Sequence, residues 1–304
     1  MKKAAAIYDL AQYPVTFDTC NFFAIFATLC EQSGIDSVSL FIVCERFRSA
    51  PIESEYPADY QYQKMLDCVV SLGHLSKYID NIHIVSSVKN LRHEGYDFLF
   101  DGVSPGRALP RLYDFKTIEE LLGDESPEFL NRLFTPYCSD QKKSELYEDK
   151  VIFFKRNSVF NKPRNTPTDL FELAAEKLNS CDIPAVVIED KEHTPIEPLK
   201  QIPMFTISER LAAAEQSRLS ITWGGGIGAP LWFSEAPLLI CGMMNEAVPI
   251  DSAEMSARKG PFRYIQPIWF GEKKQFWWIE NQLITPESLS SRVMEVLKKN
   301  EDAS

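Results

Sequence analysis

The 304-residue chain is 45% apolar and 25% charged, the balance of an ordinary globular protein, and it is long enough for two domains. Its net charge of −11 argues against nucleic acid or an anionic membrane as a partner over a broad surface, but it is compatible with a local basic pocket for a phosphate. No apolar run reaches the roughly 18–20 residues of a membrane span. The longest, Cys20–Cys30, reads as a buried helix, and the opening MKKAAAIYDL lacks a secretory pattern. A cytoplasmic protein is expected, with peripheral membrane contact and oligomeric state left open.

The seven cysteines (Cys20, Cys30, Cys44, Cys68, Cys138, Cys181 and Cys241) are odd in number, irregularly spaced and free of any CxxC pair. This predicts free thiols in a reducing compartment. The four histidines show no HExxH or related ligand spacing, so no metal site is expected.

Strand and helix signals alternate from the start. Ala4–Asp9 is an apolar run suited to a buried strand. Asp18 or Thr19 can cap a helix to about Ser33, stopped by Gly34. Ser37–Cys44 (SVSLFIVC) reads as a second buried strand, Asp59–Leu72 as a helix ended by Gly73, and Ile82–Val85 and Asp97–Phe100 as short strands. A helical stretch follows from about Lys116 to Phe134. Thr135–Glu148 is polar and reads as a linker.

The rhythm then restarts. Lys150–Lys155 is a strand, Arg156–Pro167 a polar loop, and Thr168 can cap a helix through Asn179. Ala185–Glu189 is the next strand, and Ser208 can cap a helix through Gln216. Leu219–Trp223 is a strand, Gly228–Ser234 a helix and Pro237–Cys241 a strand. Phe270–Asn281 suggests a hairpin, and Pro286 opens a last helix to about Lys299. This order predicts an α/β fold of two Rossmann-like domains, residues 1–140 and 141–304, with a cleft between them and parallel sheets covered by helices on both faces.

Three segments carry candidate chemistry. In SRLSITWGGGIGAP, a strand runs into Gly224, Gly225 and Gly226, and Gly228 stands at a helix entrance. Such a turn lets backbone amides and a helix dipole approach a phosphate; a tight turn with close helix–strand packing explains the glycines without a ligand. The pattern matches neither GxGxxG nor GxxxxGK[ST]. In KRNSVFNKPR, Lys155, Arg156, Lys162 and Arg164 share one expected loop, and the arginine forks suit phosphate oxygens, although a solvated loop has the same composition. After the first strand, Gln12, Tyr13, Thr16 and Asp18 edge the expected cleft. There Asp18 is either a general base or a helix cap, and Asp9 a strand-end residue that holds amides. Glu45, Arg46, Arg48, Glu189, Asp190, Arg258, Lys259, Arg263, Trp269, Trp277 and Trp278 are weaker candidates for surface pairing, ribose contacts, an anion flap or sugar stacking.

The segment SERLAAAEQSRLSITWGGGIGAPLWFSEAPLLICG (Ser208–Gly242) resembles the donor-binding half of heptosyltransferase-like and fucosyltransferase-like enzymes. YDL, the TFDTCNFFAIFATL helix and the VSLFIV strand are similar to proteins of bacterial carbohydrate clusters. Where heptosyltransferase-like enzymes carry Asp-Ser-Gly near the turn, this chain has Thr222-Trp223-Gly224. The resemblance implies a GT-B glycosyltransferase, with residues 1–140 on the acceptor side and 141–304 on the donor side. It implies transfer from a nucleotide sugar to a carbohydrate hydroxyl, for polysaccharide biosynthesis, with no metal and no cofactor beyond that substrate. Arg156, Arg164, Glu189, Thr222, Gly224, Gly225, Gly226 and Gly228 would bind the donor, and Asp18 and Arg156 would serve catalysis. The alternatives on the same scaffold are a nucleotide-sugar hydrolase or epimerase and a non-catalytic nucleotide- or carbohydrate-binding protein.

Overall fold

The computed structural model describes residues 2–17, 19–47, 57–87, 89, 91, 95–100, 128–157, 165–191, 206–224, 226–243, 266–267, 274–280 and 283–302. The chain divides into two compact units, Met1–Thr135 and Pro136–Ser304. Each has its own largely parallel sheet with helices, the α/β class that the sequence predicts.

In the first unit, β1 (Lys3–Asp9), β2 (Ser37–Val43), β3 (Ile79–Val85) and β4 (Phe98–Phe100) form an all-parallel sheet in the order β3-β2-β1-β4. β1 and β2 are apolar on both faces because both are covered. α1 (Thr19–Ser33) is buried on most of its surface; Phe22 meets Tyr8 edge-on at 4.9 Å, and Phe23 meets Phe134 at 5.7 Å. It ends where Gly34 takes a φ of +60°, a left-handed turn that glycine adopts without strain.

The next helix differs from expectation. It comprises α2 (Ala58–Met65), a π-helical turn (Leu66–Val70) and α3 (Ser71–Leu75), so it passes through Gly73 instead of stopping there. A Cβ at Gly73 would lie 2.8 Å from Ile82 Cδ1 and 3.2 Å from Leu40 Cδ2. The glycine serves close helix–sheet approach, not chain reversal. Of the helix expected to end at Phe134, Glu128–Arg132 is a 3-10 turn and residues 101–127 lie outside the described residues.

The second unit holds β5 (Val151–Asn157), β6 (Ala185–Lys191), β7 (Leu219–Trp223), β8 (Leu238–Met243), β9 (Gln266–Pro267) and β10 (Gln275–Glu280) in the order β6-β5-β7-β8-β10-β9. All pairs are parallel except β9 with β10. Its helices are α4 (Cys138–Ser144), α5 (Leu170–Asn179), α6 (Ile207–Gln216), α7 (Gly228–Trp232) and α8 (Pro286–Asp302). The expected linker is therefore α4, packed against α6. Its buried groups, Asp140 and Ser144, are polar, so no apolar stripe betrays the helix. Two caps also move. α5 starts after Asp169, which takes a left-handed φ of 59°, and not from Thr168; α6 is capped by Thr206, whose hydroxyl accepts the Glu209 N–H at 3.1 Å while Glu209 returns a bond to the Thr206 N–H at 2.8 Å. Ser208 lies inside α6, where its Oγ accepts the Tyr137 N–H at 2.9 Å.

Strand pleating sorts this sheet into two faces. Val151, Phe153, Leu219, Ile221, Trp223, Leu239, Cys241, Phe276 and Trp278 pack with α5 and α8. The alternate residues, among them Thr222 and Gln275, face α7. All seven cysteines are unbridged; Cys138 and Cys181 are exposed. Among the described residues no helix is long and apolar enough to cross a membrane.

Candidate functional site

The carboxyl edge of the second sheet collects several of the singled-out residues. β5 runs two residues past the expected Lys155, so Lys155 and Arg156 are strand residues and not part of a loop. The pleat sends them to opposite faces. The Lys155 ammonium turns to the α5 face and pairs with Glu172. Arg156 lies on the face of Ile152 and Phe154, toward the α7 side. Its backbone is clamped by Thr166: the Arg156 N–H donates to Thr166 Oγ1 at 2.9 Å, and the Arg156 carbonyl accepts the Thr166 N–H at 3.1 Å. Its guanidinium Nε is buried and has no hydrogen-bond partner among the described residues.

Beside it, Phe154 stands in register with Thr222 on β7. Gly224 continues β7, its N–H donating to the Cys241 carbonyl at 3.0 Å, and Gly226 turns the chain with a φ of +60°. Gly228 then presses α7 onto the strand: a Cβ there would sit 2.9 Å from Thr222 Oγ1. Thr222 is 1% exposed, and its hydroxyl has no hydrogen-bond partner among the described residues. Gly228 and Thr222 thus form a close helix–strand contact. The helix dipole expected at this entrance is small, because α7 has only 5 residues and the Ala229 N–H turns back to the Gly226 carbonyl at 3.1 Å.

Sequence reasoning overlooked Gly242. It follows Cys241 on β8, beside Gly224, and a Cβ there would lie 3.9 Å from the Gly224 nitrogen. The signal was available as the glycine closing PLLICG. Arg156, Gly224 and Gly242 thus stand on three adjacent strands, on one face, at one edge. The surface is bare backbone next to a guanidinium, which suits a doubly charged phosphate ester sterically and electrostatically.

Glu189 does not join this group. β6 continues to Lys191, and Glu189 sits in register with Lys155 on the opposite face, exposed, accepting from Asn157 Nδ2 at 2.6 Å. Trp277 and Trp278 are 0% and 2% exposed and belong to the core of the unit, not to a stacking platform. Asp18, Arg48, Lys162, Arg164, Gly225, Arg258, Lys259, Arg263 and Trp269 lie outside the described residues.

In the first unit, the loop after β1 is tied down by its own groups. Asp9 accepts the Ala11 N–H and Gln12 Nε2, both at 2.9 Å, as a strand-end carboxylate holding amides would. Tyr8 donates its hydroxyl to the Pro14 carbonyl at 2.5 Å, and Thr19 Oγ1 donates to the Thr16 carbonyl at 2.7 Å. Glu45 accepts from Ser87 Oγ at 2.9 Å beyond β2. The sheet edge of this unit is thus rigid and polar.

No family model and no curated protein matches the sequence. Solved structures match the fold along the whole chain. One is a family 9 glycosyl transferase from Veillonella parvula DSM 2008, 10% identical over 98% of each chain with a TM-score of 0.51. Another is the E. coli heptosyltransferase WaaC with ADP, 8% identical over 97% of this chain and 99% of that one, TM-score 0.54. A third is E. coli ADP-heptose lipopolysaccharide heptosyltransferase II, 12% identical over 99% of this chain and 100% of that one, TM-score 0.50. The chain therefore has the GT-B-like α/β fold of these glycosyltransferases.

Proposed function

We propose that the protein is a glycosyltransferase that moves a sugar from a nucleoside diphosphate to a hydroxyl of a carbohydrate acceptor, without a metal ion. The observation that carries this reading is the full-length likeness to heptosyltransferases, one of them solved with ADP. The carboxyl edge formed by Arg156, Gly224 and Gly242 supports it, because open α/β sheets bind ligands at such edges.

In this reading the second unit takes the donor and the first unit the acceptor. The acceptor oxygen attacks the anomeric carbon, the bond from that carbon to the β-phosphate oxygen breaks, and the acceptor proton passes to a base, for which Asp18 is the candidate. The departing diphosphate gains negative charge. Arg156, with Arg164 from the following segment, and the amides of the Gly224–Gly228 turn meet that charge. Thr222 supports the turn from beneath, and Glu189 is left for a ribose hydroxyl.

The test is release of nucleoside diphosphate from a panel of nucleotide sugars, with and without oligosaccharide acceptors, in the presence of a chelator. Acceptor-dependent release that survives chelation supports the proposal. Acceptor-independent release points to a hydrolase, and binding with no turnover on any acceptor points to a non-catalytic protein.

A further inference from the structure

Gln275 opens β10 and is fully buried. The pleat sets it opposite Phe276, on the face that carries α7. Its Nε2 donates toward three carbonyl oxygens: Leu231 at 3.0 Å, Ser234 at 2.9 Å and Ala236 at 3.1 Å. A side-chain amide has two N–H groups, so at least one is shared. Ser234 closes the same knot, with its Oγ donating to the Leu231 carbonyl at 2.9 Å and accepting the Ala236 N–H at 3.3 Å.

These carbonyls belong to the end of α7 and the turn that follows, the groups that a helix terminus leaves unsatisfied. A helix of 5 residues cannot hold its own position through internal bonds. Two outside contacts do so. At its start, Gly228 rests on Thr222; at its end, Gln275 gathers the carbonyls. The glycine turn is the chain between the first of these contacts and β7, so its place follows that of α7.

We propose that Gln275 is a positioning residue for the donor site, fixing through α7 where the glycine turn presents its backbone. This rests on the reading that the turn receives a nucleoside diphosphate. The chemistry needs a neutral side chain with N–H donors at that reach. A glutamate has the same shape but aims carboxylate oxygens at the three carbonyls.

The test compares Gln275→Met with Leu289→Ala. The latter loosens α8 under the opposite face of the sheet and does not touch α7. Calorimetric Kd values for ADP, GDP, UDP and CDP are measured with Tm for each protein. Gln275→Met should weaken the bound nucleotide about tenfold or more, while Leu289→Ala lowers Tm and keeps the parent Kd. A second measurement needs no variant: in the parent, bound nucleotide should slow hydrogen exchange across Gly226–Ala236 as one block. An unchanged Kd in Gln275→Met, equal weakening in both variants, or protection that stops short of Leu231–Ala236 overturns the assignment alone. A parent that binds none of the four nucleotides overturns the donor reading and this inference with it.

Discussion

Gly228→Ala separates the packing account of the glycine turn from a simple propensity account. Gly228 is the first residue of α7, and exchanging glycine for alanine inside a helix ordinarily stabilises by about 0.5–1 kcal/mol. Here the new methyl would lie 2.9 Å from Thr222 Oγ1, 3.4 Å from its Cβ and 3.7 Å from its Cγ2. Thr222 is β-branched, on a central strand and 1% exposed, so it has little room to turn away. Overpacking of this kind costs about 1–3 kcal/mol. The net loss should be about 1–2 kcal/mol, which for a unit of this size lowers Tm by about 2–8 °C. Differential scanning calorimetry on the single variant, on Thr222→Ala and on the double variant reads the coupling. Thr222→Ala removes the nearest atom, so Gly228→Ala should cost at least about 1 kcal/mol less in that background. A single variant as stable as the parent, or more stable, would refute the contact.

Other outcomes follow from local chemistry. Thr206→Ala breaks the capping box of α6 and should cost about 0.5–2 kcal/mol in urea unfolding; no loss would mean that the box is ornamental. In the native protein a thiol reagent should label exposed Cys138 and Cys181 first, and all seven cysteines should react only after denaturation. Burial pushes the Cys30 thiol from its ordinary value near 9 up to about 12. The unfolded chain then ionises at lower pH than the folded one, so stability present below about pH 9 is lost as pH rises toward about 12. Cys30→Ala should flatten that alkaline decline, measured by unfolding titrations at stepped pH.

Much of the fold was legible because parallel strands buried on both faces leave continuous apolar runs. SVSLFIV and LSITW became β2 and β7, and Gly34 stopped α1 as a left-handed turn must. Features fixed by tertiary contact were not legible. Gly73 looks like a stop signal until Ile82 and Leu40 are brought against it. The α4 segment looks like a linker because Asp140 and Ser144, not apolar groups, are what it buries. Of the candidate site, the glycine run and Arg156 could be read as chemistry-bearing, but the faces could not. The extra two residues of β5 decide that Lys155 and Arg156 part company, and the β6 register puts Glu189 on the far face from Arg156. Gln275 carried no signal, because a lone glutamine at a strand start has meaning only once three carbonyls converge on it.

Nucleotide affinity in Arg156→Ala tests the central claim most directly. Its Nε is buried without a partner among the described residues, on the same edge as Gly224 and Gly242. Removing a charge-assisted contact costs about 1.5–3 kcal/mol, or about 10–100-fold in Kd. Isothermal calorimetry with the nucleoside diphosphate that the parent binds should therefore show that weakening, with Tm close to the parent value. A parent that binds no nucleoside diphosphate, or an Arg156→Ala variant that binds as tightly as the parent, would contradict the assignment of this sheet edge to the donor.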